Sequence, residues 1–430
     1  MRHGTQDGAR PPARDVPRVA PGTEFLGPYR DSGLVDPPWL VRRRDGQVLQ
    51  LSGLLYAVAE EMSGGRRWAD VAAAVRERSG RPLTAEDVEY LVERKLRPVG
   101  LIADGGCPPD LPPRPRHVLA LRYRRALLPP RLAAAAGDAL KPLFAAPVVA
   151  CALAGFLALD LWLFAVHGVG DALREAIARP AQLLLVAALI IAAGLVHELG
   201  HAAACRRGGA RPGAMGVGIY LIWPCFYTDV TDAYRLDRAG RLRTDLGGLY
   251  FNVLFTLVLA GAFAVTGWSV LLVAILALQL EMLDQFMPWL RLDGYYVVSD
   301  LAGVPDLFSR MGPVLRSLLP GREEPRAREL TPRARVLITG WVLTAVPVLI
   351  GLGFIVVAHL PGFLAAFGDS VRAHLATVSR EPASAEGLLA VLEIGILLAP
   401  VLGGVFAAGT LAGRIARLGE SRASASSTPN

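Results

Sequence analysis

Hydrophobic and polar positions divide this chain into two regimes. Up to residue 108 the apolar residues come singly or in short alternations, whereas from residue 143 they gather in long runs. In the first regime Gln47-Val48-Leu49-Gln50-Leu51 alternates as a short strand does. Ser52 is placed to cap a helix running through Met62, and a second helix fits Trp68 to Glu77. Thr84, with Asp87 three residues on, has the spacing of a capping box and opens a third helix ending near Leu96. Pro98 to Ile102 returns as a strand. Residues 1–23, rich in Pro, Arg and Gly, read as a disordered leader, 109–142 as a Pro- and Arg-rich linker, and 418–430 as a disordered tail.

Beyond the linker, six apolar runs reach the roughly 20 residues that a bilayer crossing needs. They cover 143–166, 182–204, 247–267, 269–290, 336–359 and 387–411. One further apolar stretch, Ala214 to Phe226, is too short to cross. Its Gly216, Gly218 and Pro224, set among β-forming residues, predict a re-entrant hairpin. The expected fold is therefore an all-α multi-pass membrane protein of about six transmembrane helices with a short re-entrant hairpin. The membrane region is 143–417, and a small N-terminal α+β winged-helix-like soluble domain over 24–108 precedes it.

Composition agrees with that division. The chain is 53% hydrophobic and only 19% charged, where soluble domains average about 25% charged. Its net charge of +7 is unevenly spread. Segment 111–142 carries seven Lys and Arg, 206–246 seven and 291–335 eight, against two each in 168–181 and 360–386. By the positive-inside tendency this alternation sets both termini in the cytoplasm of a cell-membrane protein. Basic excess of this kind belongs to loops beside a lipid bilayer, and no aromatic–basic interleaving supports a nucleic-acid partner. Cys107, Cys151, Cys205 and Cys225 have no CxxC spacing, so neither a disulfide framework nor a cysteine metal site is expected.

Candidate chemistry sits in the second run, which contains His197-Glu198-Leu199-Gly200-His201. On a helix, positions i and i+4 share a face, so His197 and His201 reach one metal ion while Glu198 addresses a water on it. Zinc lowers the pKa of such a water and a neighbouring carboxylate takes its proton. Three ionisable side chains in five residues of an apolar span are costly without such a partner, about 2.5–3.5 kcal/mol each on insertion scales. A third ligand is required, and Asp293 is the leading candidate because Pro288 breaks the fourth run ahead of it and Gly294 permits close approach. Asp284, Glu281, Asp160 and Glu393 compete for the role, Asp284 first among them. Asn252 in the third run is placed to bond substrate backbone or an oxyanion, with an interhelical hydrogen bond as the plain alternative.

HExxH in one span and Leu292-Asp293-Gly294 two spans later resemble the site-2 protease family of intramembrane zinc metalloproteases. The resemblance covers roughly 180–310. The Asp293-Gly294-Tyr295-Tyr296 continuation and Tyr227-Thr228-Asp229-Val230-Thr231-Asp232 are most similar to its bacterial peptide zinc metalloprotease branch. It implies one catalytic zinc held by His197, His201 and Asp293, with Glu198 as general base. Two departures stand out: Met287-Pro288 replaces the family's Asn-Pro, and Gly248-Leu249-Tyr250-Phe251-Asn252 keeps the Gly and Asn of Gly-Pro-x-x-Asn but not the Pro. The strand, three helices and strand of 24–108 resemble PqqD-like domains, which implies a leader peptide as a partner there; a helical cap without a ligand is the equal alternative. The expected activity is hydrolysis of a peptide bond in a membrane-associated peptide or protein. The competing class is a non-hydrolytic membrane factor for peptide binding, export or immunity.

Overall fold

The computed structural model describes residues 17–103, 121–179, 181–220, 223–288, 290–321, 324–398, 402 and 409. The chain is mostly helical, and it divides into two compact units. One holds the described residues of Met1–Val118 with Tyr234–Ala239 and Ser299–Thr339; the other holds those of Leu119–Ala233, Gly240–Val298 and Gly340–Asn430.

The first unit begins with strands β1 (Arg18–Val19), β2 (Glu24–Pro28), β3 (Trp39–Arg42) and β4 (Val48–Leu51). β2, β3 and β4 form an antiparallel sheet in that order, with Trp39 opposite Leu51 and Arg42 opposite Val48. The turn between β3 and β4 closes through Arg43 N–H to Gln47 O, with Gly46 at φ +83° where a side chain would be strained. Arg43 is buried, and Asp45, Gln47 and the Val99 carbonyl take up its guanidinium donors. Helices α1 (Gly53–Met62), α2 (Trp68–Ser79) and α3 (Ala85–Leu91) follow. Ser52 caps α1 by accepting from Leu55 N–H, and Thr84 and Asp87 form the full capping box of α3. Their apolar faces bury Tyr56, Val58, Met62, Val71, Val75 and Val88 against Val41. β5 (Ile102–Ala103) pairs with β1.

Sequence reading found β4 and the three helices; it set the return strand at 98–102, whereas 97–100 form a turn and β5 begins only at Ile102. It missed β2 and β3, which are short and whose apolar residues, Phe25-Leu26 and Trp39-Leu40-Val41, stand side by side and do not alternate. It also drew the disordered leader to residue 23, whereas Arg18–Val19 is paired with Ile102–Ala103; the leader's first 16 residues lie outside the described residues. A larger surprise is chain from far downstream. Gly33 N–H bonds to Gly303 O, Thr331 N–H bonds to Gly33 O, and Tyr29 donates its hydroxyl to Asp300.

The second unit opens with β6 (Arg122–Leu128) and α4 (Pro130–Leu140). Both fall in the expected linker, and residues 109–120 of that linker lie outside the described ones. Then come α5 (Ala146–Trp162), α6 (Gly170–Ala178), α7 (Ala181–Arg207), β7 (Met215–Tyr220), β8 (Trp223–Thr228), α8 (Arg238–Asp245), α9 (Gly247–Thr266), α10 (Ser269–Asp284) and α11 (Asp293–Ala302). α12 (Leu307–Ser317) and α13 (Pro325–Arg328) belong to the first unit, and α14 (Pro332–Arg380) runs on from it. α4 lies against the end of α7: Gly137 meets Ala202 too closely for any Cβ, and Asp138 takes Arg206 in a bidentate pair at 2.8 and 3.1 Å. Arg206, and after it Lys141, holds the Asp138 carboxyl below its ordinary range.

Among the described residues, four helices are long and apolar enough to cross a membrane: Ala146–His167, Gln182–Arg207, Gly247–Thr266 and Pro332–Arg380. Six were expected. The run at 269–290 yields only the 16 residues of α10, because the helix ends before Gln285 and the chain turns back. At 1.5 Å per residue that is about 24 Å, short of a hydrocarbon core near 30 Å. The run at 387–411 is helical over 385–398 and lies largely outside the described residues beyond that. The outer loop expected over 360–386 is instead helical to Arg380, through both Pro347 and Pro361. Each proline forfeits a helical donor and crowds the preceding turn, so the continuation to Arg380 runs against local propensity.

The short hairpin expected at 214–226 is formed by β7 and β8, paired from Met215–Thr228 to Tyr220–Trp223. β6 adds to its other side, giving the order β6-β7-β8.

Candidate metal centre

α7 carries His197 and His201 one turn apart, and both rings are buried at 8% exposure. His201 Nδ1 lies 2.8 Å from the carbonyl of Thr244 in α8. Donation to that carbonyl selects the tautomer with a free lone pair on Nε2, the arrangement metal-binding imidazoles use. The two Nε2 atoms are 3.1 Å apart.

Asp293 arrives from α11. Its Oδ2 stands 2.8 Å from His197 Nε2 and 3.1 Å from His201 Nε2. It reaches them because the chain folds back after α10. Gly294 N–H bonds to Gln285 O at 3.1 Å, and Asp293 N–H to Gln285 Oε1 at 3.3 Å. A Cβ on residue 294 would lie 2.5 Å from Gln285 O, so the turn requires glycine. Among the described residues, His197, His201 and Asp293 form a group able to hold a metal ion, with ligand atoms within 4.8 Å of one another.

The donor set passes a geometric test. Tetrahedral bonds of 2.0–2.1 Å separate ligand atoms by about 3.3 Å. The observed 2.8–3.1 Å needs only a slight spreading. Two imidazoles and one carboxylate would leave a fourth position for water, as catalytic sites do.

Glycines bring the third apolar helix against this centre. A Cβ on Gly200 would fall 2.2 Å from Gly247 O, one on Gly247 would fall 2.6 Å from Gly200 O, and one on Gly248 would fall 2.4 Å from His197 Nε2. α7 and α9 therefore cross backbone to backbone beside the histidines, the contact that small residues permit in membrane bundles. Gly200→Ala should force these helices apart at a cost of about 1–3 kcal/mol. The check is thermal unfolding of the purified chain together with its metal content, both of which should fall.

Comparisons with known protein families, characterised proteins and solved structures find no match for this chain. Glu198 is half-buried, and its backbone carbonyl accepts the Thr228 hydroxyl at 3.1 Å, which pins β8 to α7 beside the motif. Asn252 lies one turn beyond Gly248 on α9 at 1% exposure, and its Oδ1 has no hydrogen-bond partner among the described residues. An orphaned buried carbonyl costs about 1–3 kcal/mol unless water or a ligand satisfies it. That observation weighs against the plain interhelical reading of Asn252.

Of the competing acids, Glu281 lies close enough to His197 to feel its charge but stands outside the three-residue group, and the others fall elsewhere. Asp284 is exposed, Asp160 accepts from Gln279 Nε2, and Glu393 pairs with His374. Sequence reasoning missed Thr244 and Gln285, neither of which carries a local signal. The Gly247-Gly248 pair at the start of the third run was visible and was not read as a helix contact.

Among the described residues, β8 is an edge strand of the sheet beside the centre. Asp229 N–H bonds to Ala214 O, and that alternation makes Gly216–Tyr227 and Gly218–Cys225 the hydrogen-bonded pairs. The backbones of Pro224, Phe226 and Thr228 are then turned outward from β7. Pro224, which lacks an N–H, suits an edge strand. Tyr220, at the end of β7, accepts the N–H of Arg291 at 2.9 Å, two residues before Asp293.

Proposed function

We propose that this chain is an intramembrane zinc endopeptidase of the site-2 protease type, acting on a membrane-associated peptide or protein. The convergence of His197, His201 and Asp293 on one point, beside Glu198, carries this reading. Bound there, zinc would acidify a water and polarise the scissile carbonyl. The chain's own residues supply the rest. His201, oriented by Thr244, and His197, backed by Gly248, hold a fixed platform. Glu198 takes the proton of the attacking water and passes it to the leaving amine, so that one water is consumed for each peptide bond cut. Asn252 Oδ1, without a partner among the described residues, is available to a substrate backbone N–H.

A protease needs extended backbone, and the outward edge of β8 offers it by strand addition. β7 cannot serve, because β6 and β8 occupy both its sides. In this reading the chain is a multi-pass cell-membrane protein with cytoplasmic termini, supported by the distribution of Lys and Arg between loops. The N-terminal unit, with its small sheet and three helices, is proposed to receive the leader segment of a peptide substrate.

The test compares peptide termini in membranes of cells expressing the wild-type chain or Glu198→Gln. New termini should appear with the wild type alone. Identical termini in both would count against hydrolysis and favour the non-hydrolytic binding and export reading.

A further inference from the structure

Helix starts leave backbone N–H groups without intrahelical partners, and a carboxylate in the first turn interacts favourably with them. Asp293 begins α11 yet directs Oδ2 at the two histidines instead. Its helix start therefore needs another acceptor, and Gln285 provides two. The Gln285 side-chain Oε1 accepts the Asp293 N–H at 3.3 Å, and its main-chain O accepts the Gly294 N–H at 3.1 Å. Gln285 also closes α10, since its own N–H bonds back to Glu281 O. One residue thus ends one helix and starts the next, with seven residues looped between Gln285 and Asp293.

We propose that Gln285 is a positioning residue for the metal centre: its side chain caps α11 in place of Asp293 and so frees the Asp293 carboxylate to act as the third ligand. The proposal rests on reading His197, His201 and Asp293 as a metal centre. Without the Gln285 acceptor, the Asp293 carboxylate, which lies in the first turn of α11, is left to interact with that helix start. The third ligand is then drawn between its own backbone and the imidazoles. Outer partners of this kind are typically worth about 10–100-fold in metal affinity.

Gln285→Met tests this while keeping chain length and helix propensity. The main-chain bond to Gly294 does not depend on the side chain, so the turn itself is retained. Gln285→Glu restores an acceptor of the same reach, and negative charge is favourable at a helix start. The full-length chain is purified, stripped with a chelator and titrated with Co2+, whose visible absorption reports the ligand set. Asp293→Ala supplies the reference spectrum for a centre without its carboxylate. The expected result is a spectrum for Gln285→Met shifted towards that reference, with affinity about 10–100-fold weaker, and recovery of both in Gln285→Glu. If Gln285→Met has the wild-type spectrum and affinity while Asp293→Ala changes both, Gln285 is no more than a turn residue. If it melts earlier with an unchanged spectrum, its role is structural and the proposal fails equally. A wild-type chain that binds no Co2+ overturns the metal-centre reading itself, whatever Gln285 does.

Discussion

Glu198→Gln should leave metal content unchanged and reduce peptide hydrolysis by about 10²–10⁴-fold, the range that general-base catalysis contributes. The two halves of this expectation come from separate features. Metal content depends on His197, His201 and Asp293, and the Glu198 side chain forms no part of that cluster. Its backbone carbonyl, held by Thr228, survives the substitution, so the β8 attachment to α7 is retained. Only a proton acceptor is lost, and glutamine fills the same volume. Metal analysis of the purified variant beside single-turnover cleavage of a substrate found from its new termini makes the check. Cleavage at the wild-type rate would remove Glu198 from the mechanism, whereas loss of metal would mean the carboxylate is itself a ligand.

Asp293→Ala should do the opposite: metal is lost first, and activity with it. The carboxylate contributes the sole negative charge of the three-ligand set, and without it two imidazoles bridge one turn of α7. The loss in affinity should exceed the roughly 10–100-fold typical of outer partners. Chelator competition on the full-length variant measures it directly. Asp284→Ala is the matching control, because Asp284 is exposed and outside the cluster; its affinity should remain that of the wild type. If the two variants exchange these behaviours, the centre draws its carboxylate from α10 and not from α11.

The histidine pair was legible because a helical period writes itself into consecutive residues, and so was the Thr84–Asp87 cap. Asp293 was legible only as a candidate. What decides its place is Gln285, and no composition rule marks a glutamine that serves two helices at once. The shortness of α10 has the same cause: apolar character runs on to Leu290, but the backbone turns at Gln285. β6 was hidden differently. Its partner β7 begins far along the chain, so Arg122–Leu128 gives no local sign of pairing and reads as linker. The bonds of Gly33 to Gly303 and Thr331 are the extreme case, since each joins segments about 270–300 residues apart. Local patterns encode elements, whereas contacts at that distance depend on surfaces that no short window contains.

The bond from Arg291 N–H to the Tyr220 hydroxyl has a thermodynamic consequence. It ties the sheet to the loop that delivers Asp293, so the ordering of one is felt by the other. Under binding linkage, whatever free energy a strand added at β8 contributes to metal retention, the metal must return in equal measure to strand affinity. A peptide docked on the sheet would then slow the escape of the ion, and a chelator would loosen the peptide. Tyr220→Phe removes the acceptor and leaves the ring, which makes that reciprocity measurable as a single number that should fall to zero.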